Sequence, residues 1–310
     1  MKLMPLAVLI GLALSGSMVG CRSPVTPSPP ASGPTRLVDH AMGQTAVPTT
    51  PERLVALDNA ALDAALALEV KPVGASAYGG LPNYLGEATA GIDLVGDANQ
   101  SDLEAILRLE PDLILGTKVN AGKIYRPLSK IAPTVLSQEN GRHGDWADVF
   151  QFYANALGRP EQAEAALQLY QQRVQELQEH IGNPQDIEVS VLIAYGDRIG
   201  VYTSGSFSGS VLADIGFARN PAQVSQQRYA LQVSREDLNS LDGDLLFLVA
   251  DASADSATAN TTTFSQDPIW SQLQAVQQNR LCEVKTEVWT AGRGILAAMA
   301  ILDDIESCLK

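Results

Sequence analysis

Glu104-Ala-Ile-Leu-Arg-Leu-Glu-Pro-Asp-Leu-Ile114 aligns without a gap on Glu236-Asp-Leu-Asn-Ser-Leu-Asp-Gly-Asp-Leu-Leu246. The shared pattern is Glu-x-[Ile/Leu]-x-x-Leu-[Glu/Asp]-x-Asp-Leu. In each copy an amphipathic helix ends at Leu, turns on Pro111 or Gly243, and feeds a strand that opens with Asp-Leu. A motif that recurs at this distance predicts two related α/β lobes.

The surrounding pattern extends both copies. Leu54 to Leu57, Pro72 to Ser76, Ile92 to Val95 and Asp112 to Leu115 read as strands, with helices over Asp58 to Leu68 and Ser101 to Leu109. The second half reads as strands at Glu188 to Ala194, Gly200 to Thr203, Asp244 to Val249 and Leu281 to Lys285. Its helices cover Ser208 to Ile215, Arg235 to Leu241 and Gly294 to Leu309. Single helices between strands argue for parallel-type sheets, and so for two Rossmann-like lobes.

Between the halves, Ala163, Ala166, Leu167, Tyr170, Val174, Leu177 and Ile181 recur at three- and four-residue steps. Gly158-Arg-Pro160 and Gly182-Asn-Pro184 bound this run. It predicts one long helix of roughly 30 to 35 Å joining the lobes. A cleft between the lobes, walled by loops at the carboxyl ends of strands, is the expected ligand site, and a single stiff connection predicts a small closure.

At the N-terminus, Met1-Lys2, an apolar run from Leu3 to Leu14 and small residues before Cys21 have the order of a secretory signal. The run is too short for a permanent membrane span. Residues 21 to 36 are rich in Pro and Ser and predict an extended tether. The expected organisation is therefore signal peptide 1–20, tether 21–36, first lobe 37–158, linking helix 159–183 and second lobe 184–310. Lys+Arg 21 against Asp+Glu 35 gives a formal charge of −14, which disfavours nucleic acid and anionic lipid surfaces as partners. Cys282 and Cys308 form a candidate disulfide in an oxidising compartment, the alternative being two buried thiols.

Pro51-Glu-Arg-Leu-Val-Ala-Leu57, Ser101-Asp-Leu-Glu-Ala-Ile106 with Pro111 to Ile114, Gln232-Val-Ser-Arg-Glu236 and Trp289 to Leu302 resemble the iron-siderophore, heme and vitamin B12 branch of periplasmic binding proteins. Leu128-Ser-Lys-Ile-Ala-Pro-Thr134 and Gly205 to Gly216 are similar to its ferric-siderophore members, especially those for citrate- or hydroxamate-type chelates. The resemblance implies a monomeric solute-binding protein that presents its cargo to an ABC permease and the ATPase subunit behind it. It also implies lipidation at Cys21, anchoring the protein in the periplasm or on the outer face of the cytoplasmic membrane. One glutamate on each lobe meets permease arginines in that family, and these fall on Glu104 and Glu236. Read locally, the same residues suit a capping box, Ser101-x-x-Glu104, and a first-turn acid.

A ferric chelate arrives with its metal already wrapped, so the chain is expected to need no cofactor and no metal ligands. It needs guanidinium forks and aromatic walls. Candidates near strand ends are Arg126, Arg198, Arg228, Arg142, Tyr78, Tyr202, Tyr229, Trp146 and Trp289. An enzyme is not expected: in Gly205-Ser-Phe-Ser-Gly209, Phe207 stands where a nucleophile elbow needs serine, and no Walker loop occurs. With three histidines and no His-Glu-x-x-His motif, zinc capture is disfavoured. The alternatives are heme or cobalamin binding on the same fold, or a surface sensor or adhesion module.

Overall fold

The computed structural model describes residues 33–195, 198–250 and 268–310. Cys21, the signal segment and nearly all of the tether lie outside the described residues.

The first lobe begins with an antiparallel hairpin, β1 (Thr35–His40) and β2 (Gly43–Pro48). Next come β3 (Leu54–Ala56), α1 (Asn59–Ala67), β4 (Gly74–Ala75), β5 (Asp93–Leu94), β6 (Gly96–Asp97) and β7 (Gln100–Ser101). The lobe continues with α2 (Leu103–Arg108), β8 (Leu113–Thr117), α3 (Lys118–Ala121), α4 (Tyr125–Ile131), β9 (Thr134–Ser137) and α5 (Trp146–Leu157). Its main sheet has the order β5-β4-β3-β8-β9, parallel throughout. The strand order reverses at β3, so the crevice at the carboxyl ends of β3 and β8 is the natural ligand position.

The second lobe contains β10 (Glu188–Tyr195), β11 (Arg198–Tyr202), α7 (Phe207–Ile215), β12 (Ala218–Arg219), β13 (Ala230–Val233) and β14 (Leu245–Ala250). After them come α8 (Gln274–Gln277), β15 (Leu281–Lys285), α9 (Thr286–Trp289) and α10 (Ile295–Cys308). Its sheet order is β13-β11-β10-β14-β15. β14 is parallel to both β10 and β15, but β11 is antiparallel to both β10 and β13. β11 runs against the parallel order of β10, β14 and β15, since two residues between β10 and β11 are too few for a parallel crossover.

The linking helix is α6 (Pro160–Ile181), 22 residues and roughly 33 Å long. Proline at its first position and Gly182 just past its end account for both boundaries. Ala163, Tyr170, Val174 and Leu177 form its buried face. Arg173 on α6 reaches Asp303 and Glu306 of α10 at 3.3 and 3.2 Å, pairs exposed enough to add little stability.

The sequence repeat has a physical basis. Asp112, just before β8, accepts the backbone N–H groups of Glu52 and Arg53 at 2.7 and 3.0 Å, and Asp244, just before β14, accepts that of Glu188 at 2.8 Å. In each lobe the aspartate therefore locks the start of the repeat's strand to the start of the lobe's first sheet strand. Upstream, α2 is capped by Asp102, which accepts from Glu104 N and Ala105 N at 2.9 and 3.0 Å, while Ser101 lies in β7. This corrects the capping-box reading of Ser101 and Glu104. In the second copy, Arg235–Leu241 is a 3-10 helix.

Cys282 on β15 and Cys308 on α10 are joined as a disulfide with Cα atoms 6.0 Å apart. It fixes the last helix to the edge of the second sheet.

Candidate functional site

A cavity of about 300 Å³ opens against the β10, β11 and β13 face of the second lobe. Tyr202, Tyr229, Trp289, Arg142 and Arg293 contribute its large side chains. Apolar floor comes from Ile193, Ile199, Phe207 and Leu231, and among the described residues no aspartate or glutamate lines it.

Arg142 sits in the loop after β9. Its Cζ lies 4.8 Å from the centre of the Tyr229 ring, and its guanidinium donates to no described residue. The backbone carbonyl of Arg142 accepts the N–H of Phe207 at 3.0 Å, which ties this loop to the first turn of α7. Gly141 beside it has φ of 74°, and a side chain there would strike the Arg293 carbonyl. That close approach places both arginines on one wall.

Arg293 is 8% exposed. Its Nε donates to Thr290 O at 3.2 Å and its Nη1 to the Tyr78 hydroxyl at 3.4 Å, with the guanidinium 4.9 Å over the Tyr78 ring. Nη2 has no partner among the described residues. Burial and then the charge of Arg142 lower its pKa, while Tyr78 and Asp58 oppose the shift. A buried cation facing another cation is a costly arrangement that an anion between them would relieve.

The segment around Arg293 is held by the first lobe. Asp63 of α1 accepts the N–H groups of Leu296 and Ala297, both at 3.0 Å, and the Tyr84 hydroxyl at 2.9 Å. It thereby caps α10 from another element, and Gly294 leaves the room its carboxyl needs. Glu287 accepts Asn83 N and Nδ2 at 2.8 and 3.2 Å.

Of the residues expected from sequence, Arg142, Tyr202, Tyr229 and Trp289 line the cavity, and Tyr78 touches it through Arg293. Trp289 is fully buried, 4.5 Å from Phe247 between ring centres, with its indole N–H on Asp304 at 2.8 Å. Trp146 is corrected to a core residue. It opens α5 on its buried face and packs edge-on against Tyr170 and Phe207 at 5.0 and 6.3 Å.

Arg126 is exposed on α4 and Arg228 is exposed in the loop before β13, and neither lines the cavity. The backbone of Arg198 opens β11 in register with Tyr195. Glu104 and Glu236 are both exposed, each in the first turn of its helix. Arg293 itself was not anticipated, and the one signal for it is Gly292-Arg-Gly294 close behind Trp289.

A sequence profile described as "Periplasmic binding protein" matches residues 54–288. The probable siderophore-binding lipoprotein YfiY of Bacillus subtilis is 34% identical over 97% of this chain and 94% of its own length. The achromobactin-binding periplasmic protein of Dickeya dadantii is 33% identical over 82% and 85%. Among solved structures, Staphylococcus aureus SirA complexed with staphyloferrin B superposes with a TM-score of 0.77 at 30% identity, covering 89% of this chain and 98% of that one.

Proposed function

The chain belongs to the periplasmic binding protein family, and from that premise we propose that it captures an anionic ferric chelate of the carboxylate type and delivers it to an ATP-driven importer. The observation that carries this reading is the pair Arg142 and Arg293 on a cavity wall that has no acidic residue among its described lining. Citrate-type chelates present carboxylate oxygens and net negative charge, which two guanidinium forks match well. A hydroxamate chelate presents neutral carbonyl oxygens and would gain less from them. The siderophore and achromobactin named for the relatives are in keeping with a chelate as cargo.

In this reading Tyr202, Tyr229 and Trp289 form the aromatic wall, and Tyr78 stands beside Arg293. Arg126, Arg198 and Arg228 are cations that steer an anion toward the cleft. Glu104 and Glu236 dock the loaded protein on permease arginines, one from each lobe, and the ATPase subunit drives release. Cys21 carries the lipid that holds the protein at the outer face of the membrane, with residues 21–36 as its leash.

The test is tryptophan fluorescence of the purified protein, titrated in turn with ferric citrate, a ferric hydroxamate, heme and cobalamin. Trp289 lines the cavity and supplies the signal, whereas Trp146 is buried away from it. Saturable quenching by ferric citrate is expected. A response confined to heme or cobalamin overturns the chelate class and leaves the family assignment standing.

A further inference from the structure

We propose that Asp97, Asn99 and Asn120 form a directional hydrogen-bond relay that reserves the Tyr78 hydroxyl proton for the ligand. Tyr78 and Arg293 then offer two donors to one acceptor oxygen, and Asn120 is the positioning residue for that pair. The inference rests on the anionic-chelate reading above.

The direction of the relay follows from what its two ends can do. A carboxylate only accepts, so Asp97 Oδ1 takes the backbone N–H of Asn99 at 2.9 Å and its Nδ2 at 3.1 Å. That fixes the Asn99 amide with its Oδ1 toward Asn120. The facing atom of Asn120 must therefore be Nδ2, at 3.3 Å, and the same Nδ2 lies 2.8 Å from the Tyr78 hydroxyl. Both amide hydrogens of Asn120 are spent in this way, and its Oδ1 takes the Thr117 hydroxyl at 2.6 Å.

At the other end, a guanidinium only donates, and Arg293 Nη1 lies 3.4 Å from the same Tyr78 oxygen. The phenol oxygen thus accepts from two sides, and its own proton has no acceptor among the described residues. Asn59 Oδ1 holds the Tyr78 backbone N–H at 3.0 Å, so the root of the side chain is fixed as well. The free donors are the Tyr78 O–H and Arg293 Nη2. They suit a carboxylate or alkoxide oxygen and penalise a ligand that brings a hydroxyl or ammonium donor to the same place.

The experiment is a double-mutant cycle on the purified protein with Asn120→Ala and Tyr78→Phe, reading the Kd for ferric citrate and the melting temperature of all four forms. Asn120→Ala is expected to weaken binding about fivefold in the wild-type background, and by less than about twofold when Tyr78 is already Phe. Equal effects in both backgrounds, or no effect in either, overturn the relay. Asp97→Ala, which removes the acceptor that an asparagine would keep, supplies a second reading that does not depend on the stability of the Asn120 variant. Loss of an exposed negative charge near the cleft should tighten an anionic ligand, whereas loss of the relay's anchor should loosen it, and tightening overturns the proposal. A wild type that ignores ferric citrate overturns the chelate reading and the relay with it, while additivity in the cycle overturns the relay alone.

Discussion

Replacing Arg293 with methionine should separate the needs of the fold from those of the ligand. In the structure the guanidinium spends Nε on Thr290 O and Nη1 on Tyr78, leaving Nη2 for the cargo. A charge-assisted bond from Nη2 to a carboxylate is worth about 1.5–3 kcal/mol, so the Kd for ferric citrate should rise roughly 10- to 150-fold. Stability should respond in the opposite sense or not at all. The substitution gives up a cation–π contact of about 0.5–1 kcal/mol with Tyr78, but it also removes a buried charge that faces Arg142. Asp58 loses one nearby cation, yet the Ala61 N–H that it accepts at 2.9 Å remains. Calorimetric titration with ferric citrate, paired with a thermal melt, reads both quantities. A melting temperature that collapses while the Kd stays unchanged would refute the reasoning, because Arg293 would then be a structural residue.

Charge reversal at both docking candidates, Glu104→Arg with Glu236→Arg, should leave the ferric citrate Kd unchanged and abolish iron uptake in cells, since both side chains are exposed and neither lines the cavity; uptake that survives removes the docking assignment. Asp63 gives a pH prediction. Burial raises its carboxyl to about 6, above the unfolded value of about 3.9, so the folded state binds the proton more tightly. The stabilisation from that proton, roughly 2 to 3 kcal/mol, is full below about pH 4 and lost as pH rises through about 6. Paired melts across this range should therefore show the wild type gaining on Asp63→Asn as pH falls, and a constant difference contradicts the assignment. Finally, Cys282→Ser with Cys308→Ser opens a loop with a sequence separation of 26, at an expected loss of about 3 to 4 kcal/mol in chemical denaturation; a loss below about 1 kcal/mol would mean that the bond constrains little.

The two lobes and the strut were legible because their signals are local. Asp112 and Asp244 recur because each ties a strand start to the first sheet strand of its own lobe, a backbone requirement that leaves the same letters twice. The face of α6 was readable from Ala163, Tyr170, Val174 and Leu177 alone. The antiparallel direction of β11 was not legible, because periodicity reports which residues are apolar and carries no strand direction. Trp146 was misplaced for a different reason. Trp146, Val149, Phe150, Tyr153 and Leu157 form a helical stripe that marks it as core, and that stripe outweighs the arginine and histidine just before it.

Arg293 and Asp63 stayed hidden because their roles are not local. Asp63 sits in α1 as an acid within an alanine-rich helix, and only the arrival of α10 more than 200 residues later turns it into a cap. By that cap, and by Glu287 on Asn83, the last segment of the chain is bound to the first lobe. Trp289 meanwhile stacks on Phe247 in the second sheet, while Arg293 stacks on Tyr78 in the first lobe. The two walls of the cavity are thus joined through Thr290-Ala291-Gly292, and Arg293 turns with φ of 56° between two glycines. A rotation that widened the cleft would have to stretch this short link and also bend α6. With α6 on one connection and the 290–293 link on another, a small closure is expected, and selectivity should then come from groups already in place before the ligand arrives. Two partly unpaired guanidiniums held apart on a rigid wall meet that requirement, at a standing electrostatic cost that the chelate relieves when it binds.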